Sequence, residues 1–287
     1  MIRLLTRDLP GFLMASRIPN LFIISITQFL AALFLIKNIP DVNRSIFSLH
    51  FLLLTFSTLL IAAGGYIIND YYDQKIDMIN RPKKVVVGTL FRRRLAMLAH
   101  SFLSLAGIGI GFWLDIKIGA IHVFSAFGLW YYSNHLRRLP IIGNLTISFM
   151  TALTLLIVAV FFQSHQPLIY VYALLAFFTV FIREVIKDIE DVKGESAVGC
   201  QTIPVVWGIR GAKVFIYLMI LAGIIFLVSF LIATNNQLVR YYFITLIPVF
   251  LWFVYKLARA DRQKEYANLR NITNLIILSG LVSMTMI

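Results

Sequence analysis

Roughly nine stretches of about 20 predominantly apolar residues follow one another along this chain, and no other feature constrains its fold as strongly. A helix of that length covers the hydrocarbon thickness of a bilayer. In lipid, only helices and closed barrels satisfy their own backbone hydrogen bonds. The stretches fall at about 18–36, 46–69, 95–114, 118–133, 141–163, 168–185, 214–233, 241–257 and 272–287. Of 287 residues, 60% are apolar and 14% are charged, against about half and a quarter in soluble domains. That balance excludes a soluble enzyme, a disordered chain and a small disulfide scaffold. The expected fold is all-α: a polytopic membrane protein with about nine transmembrane helices in one bundle, a single domain over 1–287. The first stretch follows Pro10 and Pro19 and carries no small-residue cleavage site, so it is expected to be a retained helix. Cys200 is the one cysteine, which rules out an intrachain disulfide.

The net charge is +13. In a soluble chain this would suggest nucleic acid; here it matches basic loops held on the cytoplasmic side near anionic lipid, with no nucleic-acid partner. With the amino terminus inside, 22 of the 26 Lys and Arg residues fall on one side. Only Lys37, Arg44, Lys117 and Arg240 fall on the other. The split supports the helix count and places the amino terminus and the long polar loops, about 70–94, 186–213 and 258–271, in the cytoplasm. The expected location is the cell (inner) membrane.

Carboxylates are scarce, so their clustering is informative. The second stretch ends in Asn69-Asp70-Tyr71-Tyr72-Asp73-Gln74-Lys75-Ile76-Asp77. At 100° per residue, with Asn69 at zero, Asp73 falls at about 40°, Asp77 at about 80° and Asp70 at about 100°. The sixth stretch ends in Lys187-Asp188-Ile189-Glu190-Asp191-Val192-Lys193-Gly194-Glu195. Lys187, Asp188, Asp191 and Glu195 repeat the first spacing at a constant offset of 118 residues. This is an internal pseudo-repeat, with acidic motifs at 69–77 and 187–195. Gly194 is a candidate helix stop. Two such faces that meet at a membrane surface need cations, and oxygen donors suit Mg²⁺ together with a diphosphate. The competing readings are solvated helix ends paired locally with Lys75, Lys187 and Lys193, or a cation-coupled transporter. The acids sit at the ends of the stretches rather than inside them, which argues against transport.

In these residues the chain resembles the UbiA superfamily of intramembrane prenyltransferases. Its first motif, N-D-x-x-D-x-x-x-D, is matched by Asn69, Asp70, Asp73 and Asp77. Its second appears as R-E-x-x-K-D-x-x-D-x-x-G-E from Arg183 to Glu195. The form of the second motif, followed by Thr202-Ile203-Pro204 and Trp207-Gly208, is most similar to the branch that acts on geranylgeranylglyceryl phosphate. After Asn80-Arg81-Pro82 the family usually continues with an Arg-Pro pair, whereas this chain has Lys83-Lys84-Val85-Val86-Val87-Gly88.

The resemblance implies Mg²⁺-dependent transfer of a polyprenyl group from an allylic prenyl diphosphate to a lipophilic acceptor, within the lipid bilayer. An aromatic quinone precursor is the alternative acceptor. Asn69, Asp70, Asp73, Asp77, Asp188, Asp191 and Glu195 are the implied metal ligands. Asp73, Asp191, Lys187 and Arg183 are the implied catalytic set. Lys75, Arg81, Lys83, Lys84 and Arg137 are the implied phosphate-binding bases, with Arg138 and Arg92-Arg93-Arg94 as further candidates. Tyr66, Tyr71, Tyr72, Trp130, Tyr131 and Tyr132 are candidates to face an allylic cation. Gly64 and Gly65 are read as packing positions, and His135 is the one histidine worth testing.

Overall fold

The computed structural model describes residues 2–36, 45–233 and 237–287; Lys37 and Arg44 lie outside them. An amphipathic helix, α1 (Ile2–Ala15), precedes α2 (Ile18–Leu30), which continues as a π-helical turn over Ala31–Leu35. Then follow α3 (Leu49–Asn80), α4 (Arg93–Leu114), α5 (Ile116–Asn134), α6 (Ile142–Phe161), α7 (Pro167–Ala197), α8 (Ile203–Ala233), α9 (Gln237–Arg259) and α10 (Gln263–Ser283). Among the described residues, eight helices are long and apolar enough to cross a membrane. The stretch at 118–133 does form a helix, α5, which packs against α3, α4 and α6. It falls short on hydropathy, because Lys117, His122 and the run Trp130-Tyr131-Tyr132-Ser133-Asn134 dilute its apolar content.

Sequence did not anticipate α1. Its exposed Leu9, Leu13 and Met14 fit a helix lying at a membrane surface. Its Phe12 meets Phe91 edge to face at 6.0 Å, so the helix docks on the loop after α3.

Two helices are much longer than a bilayer requires. The 32 residues of α3 and the 31 of α7 would each run about 46–48 Å at 1.5 Å per residue, against a hydrocarbon core of about 30 Å. The surplus is at the carboxyl ends, where the apolar pattern gives way to the acidic motifs without any helix break. Gly194 does not stop α7. It lies where α7 crosses α3: a Cβ there would come within 2.5 Å of Asn80 Nδ2 and 2.8 Å of the Ile76 carbonyl. Asn80 secures the crossing by donating to the Asp191 carbonyl (2.9 Å) and accepting from the Gly194 N–H (3.0 Å).

The rest of the bundle supports these two helices. On α3, Gly64 faces Ser104 and the His100 carbonyl of α4, and Gly65 faces Leu129 of α5. Both glycines therefore serve helix packing. On α7, Phe181, Val185, Ile186 and Ile189 are buried against Ile203, Ile216, Phe253, Leu257 and Leu269 of α8, α9 and α10. Gly208 breaks α8 with φ 71° and ψ 168°, a conformation open essentially to glycine alone. At the opposite end of the bundle, Phe51 packs with Phe161 and Phe162, and His50 stacks on Trp113 at 5.7 Å.

Gly194→Ala is expected to push α3 and α7 apart and to destabilise the protein by about 1–3 kcal/mol. Thermal unfolding in detergent reads this as a lowered midpoint, and an unchanged midpoint would contradict the close crossing.

Candidate active site

The acidic tips of α3 and α7 form one buried cluster with the α5–α6 link and the start of α8. Asp73 is 4% exposed, Asp188 8%, Asp191 1% and Glu195 1%. Burial this deep is tolerated only when each carboxylate has a cation or hydrogen-bond donor. Arg81, just after α3, reaches across to Asp191 Oδ1 and Glu190 Oε1, both at 2.7 Å. Arg137, itself buried in a 3₁₀ turn between α5 and α6, pairs with Asp73. Asp73 also accepts from Asn69 Nδ2 at 2.6 Å. Asp188 accepts from Asn144 Nδ2 of α6 at 2.7 Å, and Glu195 from Thr202 Oγ1 at 2.6 Å. Arg17, which caps α2 from a left-handed backbone conformation (φ 52°), pairs with Asp70 at 2.6 Å and lies over the Tyr66 ring at 5.2 Å.

Apart from Asn69 and Thr202, these partners come from remote chain segments and none is a neighbouring lysine, so the local-lysine reading of the acidic ends does not hold. The exception is Lys187, whose Nζ lies 3.9 Å from Glu184 Oε2, one turn away. Glu184 is also held by Arg183 at 2.6 Å. Asp77, half-buried, lies within the electrostatic influence of Lys187, Asp191 and Asp70.

The structure thus brings together Asn69, Asp70, Asp73, Asp77, Arg81, Arg137, Arg183, Lys187, Asp188, Asp191 and Glu195. It does not bring Lys75, Lys83 or Lys84 to the acids; all three are exposed. Lys75 falls about 240° round the helix from Asn69 at 100° per residue, away from the acidic face. Lys83 and Lys84 lie in a 3₁₀ turn that points them to solvent. The Arg92-Arg93-Arg94 run is drawn elsewhere, with Arg92 on Asp8 at 3.0 Å and Arg93 over Tyr71 at 4.4 Å.

Among the aromatic candidates, Tyr66 and the buried Tyr132 face the cluster, Tyr132 within reach of Glu184, Asp188 and Glu195. Tyr131 stacks on Phe127 and meets His135, and both Tyr131 and His135 are exposed. Two further histidines pack inside the bundle: His100 on the Gly64 carbonyl at 3.0 Å, His122 on Ser57 at 2.8 Å. Cys200 is free and buried, and burial pushes its thiol above the usual range.

Sequence reasoning did not pick out Arg17 or Asn144, and it gave no role to Asn80, Glu184, Glu190 and Thr202 although they lie within or beside its motifs. Glu184 had a usable signal, since it falls at about 60° on a wheel that puts Lys187 at zero. Asn144 had another, an amide at the end of an otherwise apolar stretch. Glu190 had none. It is held by Arg81 and by Arg270 of α10, the latter at 2.9 Å.

As donors, the carboxylates and Asn69 form an all-oxygen set suited to a hard divalent ion. Among the described residues, no three acidic, histidine or cysteine side chains are already gathered round one point, because arginines and amides hold them.

A sequence profile of the UbiA prenyltransferase family matches residues 20–275. The chain belongs to the UbiA prenyltransferase family. A curated relative, digeranylgeranylglyceryl phosphate synthase of Saccharolobus solfataricus, is 32% identical over 228 residues, covering 78% of this chain and 79% of the relative. A solved structure described as digeranylgeranylglyceryl phosphate synthase aligns with a TM-score of 0.72 at 22% identity, over 99% of this chain and 98% of the other. A UbiA homologue from Archaeoglobus fulgidus, solved with DMAPP and Mg²⁺, aligns with a TM-score of 0.64 at 15% identity, over 96% and 99%. At those identities the two structures establish the fold alone. This UbiA member is an integral membrane prenyltransferase.

Arg81→Ala would leave Asp191 buried without its cation. It is expected to cost about 3–5 kcal/mol, read as a lowered unfolding midpoint, whereas Lys83→Ala and Lys84→Ala should each stay within about 0.5 kcal/mol of the parent.

Proposed function

We propose that the protein transfers a polyprenyl group from an allylic prenyl diphosphate to the free hydroxyl of geranylgeranylglyceryl phosphate, releasing diphosphate, with Mg²⁺ as cofactor. The observation that carries this reading is the convergence of two carboxylate-bearing helix tips at Gly194, with Arg81, Arg137, Arg183 and Lys187 among them. The naming of the Saccharolobus relative supports the acceptor, and the DMAPP and Mg²⁺ of the Archaeoglobus homologue support the donor class and the metal.

Asn69, Asp73, Asp77, Asp188, Asp191 and Glu195 would hold the metal, with Asp70 orienting its neighbours through Arg17. Bound Mg²⁺ supplies Lewis-acid stabilisation to the departing diphosphate oxygens. Arg81 and Arg137 neutralise Asp191 and Asp73 in the structure described. With those acids holding a divalent ion, the two guanidiniums would be available to bind phosphate oxygens. Arg183 and Lys187 add positive charge from the same face of α7. The C–O bond to the allylic carbon breaks as the diphosphate leaves. The resulting cation would face Tyr66 and Tyr132, and the acceptor hydroxyl would form the new C–O bond as its proton passes to the released diphosphate.

The remaining parts of this reading follow from the charge split. The chain acts as a single unit over 1–287, its two acidic motifs at corresponding helix ends. It lies in the cell membrane with the α3 and α7 tips in the cytoplasm, since the end of the bundle that carries Arg17, Arg81, Arg137 and Arg270 is the basic end.

The test is to incubate purified protein with Mg²⁺, geranylgeranyl diphosphate and a panel of acceptors, and to identify products by mass. A digeranylgeranylglyceryl phosphate product is expected; prenylation of an aromatic acid instead would overturn the acceptor assignment. Asp73→Ala and Asp191→Ala should each lower diphosphate release by on the order of 100-fold or more while the protein still inserts, and chelating Mg²⁺ should abolish release in the parent. Normal turnover in both variants would overturn the site.

A further inference from the structure

On the outer face of α9 and α10, away from the acidic cluster, lies a groove of about 540 Å³. Trp252, Tyr255, Lys256, Arg259, Leu269 and Ile272 line its length. Two aromatic–cation pairs, each four residues apart, run down α9: Lys256 Nζ lies 5.8 Å from the Trp252 ring centroid, and Arg259 Cζ lies 4.5 Å from that of Tyr255. Among the described residues, neither cation has a carboxylate partner within ion-pair distance. Glu265, which also lines that end, has its Oε2 turned to the backbone N–H groups of Asp261 and Arg262, both at 2.8 Å. That end of the groove therefore holds two cations and one carboxylate, a net charge of one positive unit. Its other end is apolar: Trp252 and Ile272 lie deeper along the two helices than Arg259 and Ala260, by about 10 Å at 1.5 Å per residue.

We infer that this groove binds an anionic, phosphate-headed membrane lipid, the phosphate held by Lys256 and Arg259 and the chain laid against Trp252 and Ile272. A free phosphate ion would use the cations but has nothing to place along the apolar length; a neutral lipid would use the length but leave the cations unanswered. Basic residues at the ends of membrane helices snorkel toward the headgroups, and basic pockets between such helices select anionic headgroups. Tyr255, one turn from Arg259, matches the interface with its apolar body and polar edge, and Trp252 lies one turn deeper. The groove borders the reaction site through α10, whose opposite face reaches α7: Gln263 Nε2 donates to the Glu190 carbonyl at 3.0 Å, and Arg270 pairs with the Glu190 carboxylate.

The position of Trp252 gives a direct readout. Full-length protein is placed in phosphatidylcholine vesicles containing either brominated phosphatidylglycerol or brominated phosphatidylcholine. The Trp252 contribution to quenching is obtained by subtracting Trp252→Phe. The anionic lipid is expected to quench Trp252 with a preference of about 5-fold in apparent affinity, the scale set by one net positive charge near an anionic head. Lys256→Ala/Arg259→Ala should abolish that preference, and Lys256→Glu/Arg259→Glu should reverse it. Lys264→Ala, an exposed cation outside the groove, should leave it intact. Excess inorganic phosphate should not displace the lipid. Equal quenching by the two lipids, a preference that survives in the double variants or is lost in Lys264→Ala, or displacement by phosphate would each overturn the assignment.

Discussion

A carboxylate buried in a lipid-embedded bundle must be answered by a cation or a donor, because leaving it ionised and alone costs several kcal/mol. At one end of this protein that demand recurs at Asp73, Asp188, Asp191, Glu184, Glu190 and Glu195, all nearly inaccessible. Glu184 is answered within α7 by Arg183 and Lys187, and the others from elsewhere in the chain: Arg81 from just after α3, Arg137 from the α5–α6 link, Asn144 from α6, Thr202 from the entry to α8, Arg270 from α10. The acids are thus structural hubs as well as candidate ligands. Satisfying them fixes how the inner ends of five helices are arranged.

The same arrangement explains why α3 and α7 overrun the bilayer. Their apolar portions span, and the surplus turns carry polar groups to a level where water, lipid headgroups and phosphates are available. The crossing at Gly194 then brings the two surpluses into contact, and Asn80 ties them backbone to side chain. In the proposed reaction, the arginines that neutralise the acids and those that receive the diphosphate are the same groups. Positive charge is therefore already stored at the site and does not have to be recruited from solvent.

Much of this was legible in the sequence, for physical reasons. Lipid imposes length and hydropathy so strongly that every expected stretch corresponds to a helix, although α8 and α10 begin about ten residues before theirs, and the 118-residue offset between Asn69–Asp77 and Lys187–Glu195 marked the two tips. The helix ends were misjudged where the signal was hydropathy alone: α3 and α7 continue for about ten residues after their apolar pattern ends, because acidic residues are compatible with helix once a tertiary partner neutralises them. Gly194 looked like a stop on local propensity, yet it serves a close crossing that no local pattern reveals. Lys75, Lys83 and Lys84 were chosen because they are near the motif in sequence, whereas Arg17 and Arg137 reach the acids through the fold. Pairings between residues tens of positions apart leave no trace in the spacing of a single chain.

The account stands on the contact between the α3 and α7 tips, and cysteine cross-linking tests it most directly. With Cys200→Ser as background, Asn80→Cys and Gly194→Cys place two thiols at the crossing; the Asn80 amide is gone, and the remaining contact of the new Cβ with the Ile76 carbonyl at 2.8 Å is relieved by a shift of a few tenths of an ångström, small against the reach of a disulfide. The account predicts rapid disulfide formation in native membranes under mild oxidation, since an ideal Cβ at 194 lies 2.9 Å from Asn80 Cγ and a disulfide needs Cβ atoms about 3.5–4.5 Å apart. Failure to cross-link, in a protein shown to be inserted and to carry two reactive thiols, would contradict it.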